Sequence, residues 1–327
     1  MDFATVRQYL ITSSFVLGTV GNLAALWILY KSSKMRNPKH VLMLRCLAVN
    51  DLIAQVGMLL LTNLPKYITI PVYWKCTFFV MLRAFGLGSG CLAFVMAMER
   101  WLALTRPFVY QQYVTKIVLK RVIFSLWTFA ALLTLMPLFG FGLFYEDGKC
   151  HRYREATQLR DIIYAYLFFT FGTSLCTCIA FFNTKVFYAL SHIGKKQKKV
   201  LVRRISRSII KEKKTRNLAL PEELAFAKLM AFICIVFILC WMPQMVAIPL
   251  GHFFAESKLY RVLARIADVL MCVYFTLDPY IYVLHQYMEK GRFRVPFKWQ
   301  RSNPATPTTE IIRPPSFSLG QMQTETV

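Results

Sequence analysis

Seven stretches of about 20 or more predominantly apolar residues divide the chain, at roughly 8–30, 41–64, 77–104, 118–144, 161–190, 224–250 and 260–287. A helix rises 1.5 Å per residue, so each block is long enough to cross a hydrocarbon core of about 30 Å. Lipid offers backbone N–H and C=O groups no partner, so single apolar blocks of this length cross as helices. The predicted fold class is an all-α membrane protein, a bundle of seven transmembrane helices. Composition agrees: 56% of the 327 residues are hydrophobic and 17% charged, where a soluble domain carries about a quarter charged. Chain-wide disorder and a single soluble core are both excluded.

Charge sets the expected orientation. An odd number of crossings puts the termini on opposite sides. With the N-terminus outside, the inner segments hold 25 Lys or Arg and the outer segments nine. Cytoplasmic loops carry such an excess, so the N-terminus is expected outside and the C-terminus inside. The domains follow: a short extracellular N-terminus at 1–7, the seven-helix domain at 8–289, and a cytoplasmic tail at 290–327. The third inner loop, 191–223, holds eleven of the inner cations and reads as a solvated basic extension of the flanking helices that can also meet acidic lipid or a cytosolic partner. The net charge of +24 therefore belongs to a multi-pass protein of the plasma membrane facing anionic lipid, not to a nucleic-acid binder. The tail beyond Lys298 is rich in Pro, Ser and Thr and is expected to be disordered. No N-terminal cleavable signal is apparent, since the start is not basic and the first block is long enough to span.

Seven of the nine cysteines fall inside apolar blocks, where thiols act as small hydrophobes. Cys76 and Cys150 remain, both on the oxidising side of the expected topology, and are the expected disulfide. It would tie the start of the third span to the second outer loop.

Ionisable groups at bilayer depth are costly, at least about 2.5–3.5 kcal/mol each, so each is a candidate functional residue. Asp51 lies in the second block, Glu99-Arg100 at the inner end of the third, and Asp278-Pro279 interrupts the seventh. Arg83 lies in the outer half of the third, Arg265 and Asp268 in the outer part of the seventh. Pro137 in the fourth block, and Pro243 and Pro249 in the sixth, are expected kinks. The residues Gly21-Asn22, Leu47-Ala48-Val49-Asn50-Asp51, Glu99-Arg100-Trp101, Trp127 with Pro137 ten residues on, Cys240-Trp241-Met242-Pro243 and Asp278-Pro279-Tyr280-Ile281-Tyr282 occur in this order on six blocks. Together they resemble the class A (rhodopsin-like) G-protein-coupled receptors. The chain departs from that pattern in two places. Cys76 to Arg100 is one residue shorter than usual, and the fifth block lacks the common proline.

The resemblance implies roles. Arg100 would pair with Glu99 and with Glu223, 18 residues before Trp241, holding spans three and six together at rest; the alternative is an Arg snorkelling to the interface. Asp51, Ser89 and Asp278 would form an allosteric sodium site, hard oxygen ligands for a hard cation; the alternative is two carboxyls sharing a proton with no ion. Trp241, before Pro243, would lie under the ligand and move with the kink; Pro279 and Tyr282 belong to the same activation switch. No other cofactor is implied. A heterotrimeric G protein is the implied partner inside, with arrestin and a receptor kinase acting on the Ser/Thr tail.

Ligand chemistry is first narrowed by what is missing. An aminergic receptor carries Asp 18 residues before the Arg, where this chain has Leu82; an opsin carries the Schiff-base Lys six before Asp278, where it has Cys272. The stretch from Glu99 to Phe144 is similar to the prostanoid receptors: Glu99-Arg100-x-Leu102-Ala103, Pro107-Phe108-x-Tyr110, and Pro137-x-x-Gly140-x-Gly142. Phe182-Asn183 and Leu277-Asp278-Pro279 agree. That resemblance implies a small acidic lipid agonist. In the family a Thr and a Tyr on span two, a loop Trp and an Arg on span seven hold the carboxylate. Here Thr62 matches the Thr, Lys66 falls at the Tyr, Lys149 replaces the Trp, and Val269 falls at the Arg, with Arg265 one turn above and Asp268 adjacent. The carboxylate's cation is then expected to be Lys66, standing over Thr62, or Arg83, unless Asp268 neutralises the latter. Competing readings are a receptor for a short peptide or another acid, and, remotely, a transporter or membrane enzyme. The five scattered His form no HxxxH pair, and no internal repeat points to a transporter.

Overall fold

The computed structural model describes residues 3–31, 37–205, 219–254 and 257–293. Eight helices run through them: α1 (Phe3–Lys31), α2 (Pro38–Asn63), α3 (Val72–Thr105), α4 (Pro107–Tyr113), α5 (Lys116–Leu135), α6 (Leu159–Ile205), α7 (Ala219–Phe254) and α8 (Lys258–Phe293). All but the short α4 are long and apolar enough to cross a membrane. Spans one to seven are thus α1, α2, α3, α5, α6, α7 and α8. Span three is the hub, packed against α2, α5, α6 and α7. Span seven closes the ring: Tyr280 donates to Leu17 O at 2.9 Å, and Tyr274 meets Phe237 of span six at 5.4 Å. Outward faces carry large apolar side chains such as Trp27, Phe124, Leu132 and Phe187, each more than half exposed. Patches this extensive belong against lipid.

Local chemistry sets the helix ends. Asn37 accepts from Lys39 N at 3.1 Å, with Pro38 at the first helical position of α2. Thr115 caps α5 by accepting from Val118 N at 3.2 Å. Pro107 cannot continue α3, which ends at Thr105. In the fourth span the expectation of a kink is corrected. Pro137 ends the α-helix instead: Leu135 is its last residue, a 3₁₀ turn covers Met136–Phe139, and Gly140 turns the chain with φ 81°. The seventh span is corrected the other way. Pro279 lies inside a helix that runs on to Phe293, as Pro243 and Pro249 lie inside α7. α1 begins at Phe3, inside the 1–7 segment expected as a separate N-terminus, and α6 reaches Ile205, inside the basic loop. The rest of that loop to 218 and the tail beyond 293 lie outside the described residues.

Between spans four and five the chain forms a two-stranded hairpin, β1 (Tyr145–Glu146) and β2 (Lys149–Cys150), paired Tyr145 to Cys150 and Glu146 to Lys149. Its turn is Asp147-Gly148, both with positive φ. Asp-Gly between short extended runs is a strong hairpin signal, legible in the sequence itself. Cys150 bonds to Cys76, near the start of span three, as expected.

Candidate functional site

The polar residues fall into three levels along the bundle. At the end remote from the disulfide, Arg100 and Glu99 are almost fully buried, 2% and 1% exposed. Two charge-assisted bonds join them: Nε to Oε2 at 2.5 Å and Nη2 to Oε1 at 2.6 Å. Tyr110 on α4 donates to Glu99 Oε1 at 2.6 Å. Arg100 Nη2 lies 2.6 Å from His40 Nε2, and the His40 ring stacks on Phe226 at 3.8 Å. Since a guanidinium only donates, His40 Nε2 must accept, which requires the tautomer protonated at Nδ1. The cluster therefore joins spans two, three and six through His40, Arg100 and Phe226. His40 and Phe226 were missed in the sequence, and Tyr110 entered there only as part of a loop motif, with no role of its own. A lone His at a helix start, an aromatic in a loop and a Phe among 27 give no periodic signal. The Glu223 side chain lies outside the described ones; its backbone is in α7.

Midway, Asp51, Ser89 and Asp278 are fully buried. Ser89 donates to Asp51 Oδ1 at 2.5 Å, and Asn50 Nδ2 lies 2.7 Å from Ser89 Oγ and 3.2 Å from the same Asp51 oxygen. Trp127 of span four donates to Asn50 Oδ1 at 2.9 Å. Tyr274 reaches Asp278 Oδ2 at 3.4 Å. Asp51 Oδ2 and Asp278 Oδ1 receive no hydrogen bond from any other side chain, and the two carboxyls lie within hydrogen-bonding reach of each other. Both aspartates border a cavity of ≈ 20 Å³, with Asn22, Pro279 and Tyr282 in its wall. That is room for about one water-sized occupant. Two facing carboxyls on a small cavity fit either expected occupant, a small hard cation held between them or a proton they share. Ser89 is not in that wall; it orients Asp51 from behind.

One level further, Trp241 packs on Phe237 at 5.2 Å and over Gly86, where an added Cβ would stand 3.4 Å from its ring. Its Nε1 is buried without a partner. Arg83, one turn from Gly86 on span three, lies 5.3 Å above the ring of Tyr153. The alternative in which Asp268 neutralises Arg83 is not what forms. Asp268 is held by two loop cations, Arg152 Nη1 at Oδ1 and Arg154 Nη2 at Oδ2, the latter at 3.2 Å. No carboxylate among the described residues lies within ion-pair distance of Arg83. The loop folds back after its disulfide and reaches Asp268 first, which linear spacing could not show.

The remaining expected ligand contacts do not converge. Thr62 donates into its own helix, to Met58 O at 2.8 Å. Lys66 sits on an exposed 3₁₀ turn and donates to Asn63 Oδ1 at 3.1 Å. The helix ends between the two, so they do not stand one above the other around a shared oxygen pair. Arg265 is exposed, and Val269 is 61% exposed on the outer face of span seven. Neither faces the bundle interior with Arg83.

The family model "7 transmembrane receptor (rhodopsin family)" matches residues 21–282. Melanopsin of Branchiostoma belcheri is 26% identical over 273 residues, 76% of this chain and 37% of the relative. Opsin Rh4 of Drosophila melanogaster is 24% identical over 282 residues, 83% and 72%. The human prostaglandin E2 receptor EP4 subtype is 29% identical over 191 residues, 54% and 38%. The chain thus spans little more than a third of the melanopsin and prostaglandin receptor lengths. Squid rhodopsin superposes with a TM-score of 0.67 at 18% identity, covering 88% of this chain and 83% of that one. With the family matched over most of its length and all seven spans in place, the chain belongs to the rhodopsin family of seven-transmembrane receptors, proteins of the membrane that are not enzymes.

Proposed function

We propose that this receptor sits in the plasma membrane with the disulfide end outside, takes up a small acidic lipid mediator of prostaglandin type there, and signals by opening the Arg100 end to a heterotrimeric G protein. The excess of Lys and Arg on the Arg100 side supports the orientation. The observation that carries the ligand class is Arg83: a guanidinium inside the bundle with no carboxylate within ion-pair distance among the described residues, beside two further arginines that share Asp268. Arg83, Arg152 and Arg154 stand against Asp268 and, on the exposed side of the loop, Glu155, an excess of positive charge that favours an anionic guest. Similarity to the prostaglandin E2 and prostacyclin receptors points the same way. The similarity to opsins brings no covalent retinal with it, since Cys272 stands where a Schiff-base Lys would be. Asp51 and Asp278 would hold a sodium ion through their spare oxygens, and its charge would offset the two buried carboxylates.

The test reads cyclic AMP and calcium against a panel of lipid acids and their methyl esters. An acid should be far more potent than its ester on the wild type. Arg83→Ala should weaken the acid by about 2–5 kcal/mol, the cost of breaking a buried charge pair, while Lys66→Ala should change little. Equal potency of acid and ester on the wild type would overturn the acidic-ligand reading and leave the receptor assignment standing.

A further inference from the structure

The second loop does more than cover the bundle. Cys76 and Arg83 lie seven residues apart on one face of span three, about 10.5 Å along the helix. Three extended residues beyond Cys150 span about 10 Å, so the disulfide delivers Tyr153 onto Arg83. There Tyr153 is 5% exposed. Its ring lies under the Arg83 guanidinium and packs on Phe168 of span five at 4.8 Å. Its hydroxyl accepts from Gln244 Nε2 of span six at 2.9 Å. Gln244 is buried, and its Oε1 has no partner. Turning the amide over would let the hydroxyl donate to Oε1 and leave the NH₂ unused instead. In either orientation, one polar atom of Gln244 stays available. Arg152 and Arg154, on either side of Tyr153, grip Asp268 of span seven.

We propose that Arg83, Phe168 and Gln244 form a recognition site for a phenol ring, and that Tyr153 is its tethered occupant, which a diffusible ligand bearing an aromatic hydroxyl must displace. Each of the three residues supplies a different part of that recognition. Arg83 takes the face of the ring through its quadrupole, Phe168 packs on it as a tilted aromatic neighbour, and Gln244 reads the hydroxyl. The site lies one turn from Gly86 and three residues from Trp241, so its occupant is in a position to bear on the packing between spans three and six. This inference does not depend on the acidic-lipid reading.

The experiment uses the full-length receptor without any lipid agonist. Tyr153→Ala removes the tethered ring, and p-cresol, the free equivalent of the lost side chain, is titrated while thermal unfolding is followed. The midpoint of Tyr153→Ala should rise saturably, half-way at a concentration on the order of 1 mM, the affinity expected of so small a ligand. Wild type should need at least about tenfold more. Toluene, lacking the hydroxyl, should be weaker than p-cresol on Tyr153→Ala. The second change Gln244→Leu should remove that difference. Should Tyr153→Ala not fold, Tyr153→Val keeps a small apolar contact while still vacating most of the ring's space and is titrated in its place. A midpoint that p-cresol shifts equally in wild type and variant, or that toluene shifts as well as p-cresol, would overturn the phenol site.

Discussion

Arg100 is the residue whose surroundings say most about signalling. A fully buried guanidinium is tolerated because Glu99 takes two of its N–H groups and His40 another, and because Tyr110 in turn holds Glu99. Hydrogen bonds to charged groups contribute about 1.5–3 kcal/mol. About 1.4 kcal/mol shifts a two-state equilibrium tenfold. Tyr110→Phe, which deletes one such bond without changing shape, should therefore raise basal signalling about tenfold or more at equal surface expression, up to the assay's ceiling. Unchanged basal signalling would show that the cluster does not hold the resting state. Glu223→Ala should act in the same direction if Glu223 meets Arg100 from span six, and a cyclic AMP assay at matched expression reads it; a fall in basal signalling would count against that pairing.

Among the elements, span three depends on closely spaced glycines. An added Cβ at Gly88 would stand 2.4 Å from Trp127 Nε1 and 3.0 Å from Asn50 Oδ1. It would drive apart the bond that ties span four to the Asp51 level. At Gly90 the added atom would meet Phe237 at 2.9 Å. Overpacking of this kind costs about 1–3 kcal/mol. Gly88→Ala should lower the thermal midpoint of the detergent-purified protein and shift the fluorescence of Trp127; a midpoint equal to wild type would mean that spans three and four are not in the close contact described.

For the whole molecule, the Cys76–Cys150 bridge closes 74 residues and sets where the loop enters the bundle. Losing such a bridge costs about 4–5 kcal/mol by the chain-entropy argument for a loop of this length, and here it also frees the segment carrying Arg152, Tyr153 and Arg154. Cys76→Ala and Cys150→Ala should each reduce surface expression and ligand response together. Normal expression and response in both variants would show that the hydrophobic bundle positions the loop unaided.

The chain's local chemistry determined the seven spans, the Cys76–Cys150 pairing and the Arg100 and Asp51–Asp278 levels. Each rests on something written linearly: block length against membrane thickness, two thiols outside the apolar blocks, charges at bilayer depth in motif order. Only the tertiary structure decided which cation faces inward. Lys66 and Arg83 both read as cations in the sequence, yet a helix end turns one outward while the helix face fixed by Cys76 turns the other onto Tyr153. The same holds for Asp268, which paired with Arg152 and Arg154 across more than a hundred residues rather than with Arg83, and for His40, whose partners come from spans three and six. A salt bridge between distant elements depends on the path of the loop that joins them. That path was fixed by the disulfide and the Asp147-Gly148 turn acting together, so no single stretch of sequence contains it.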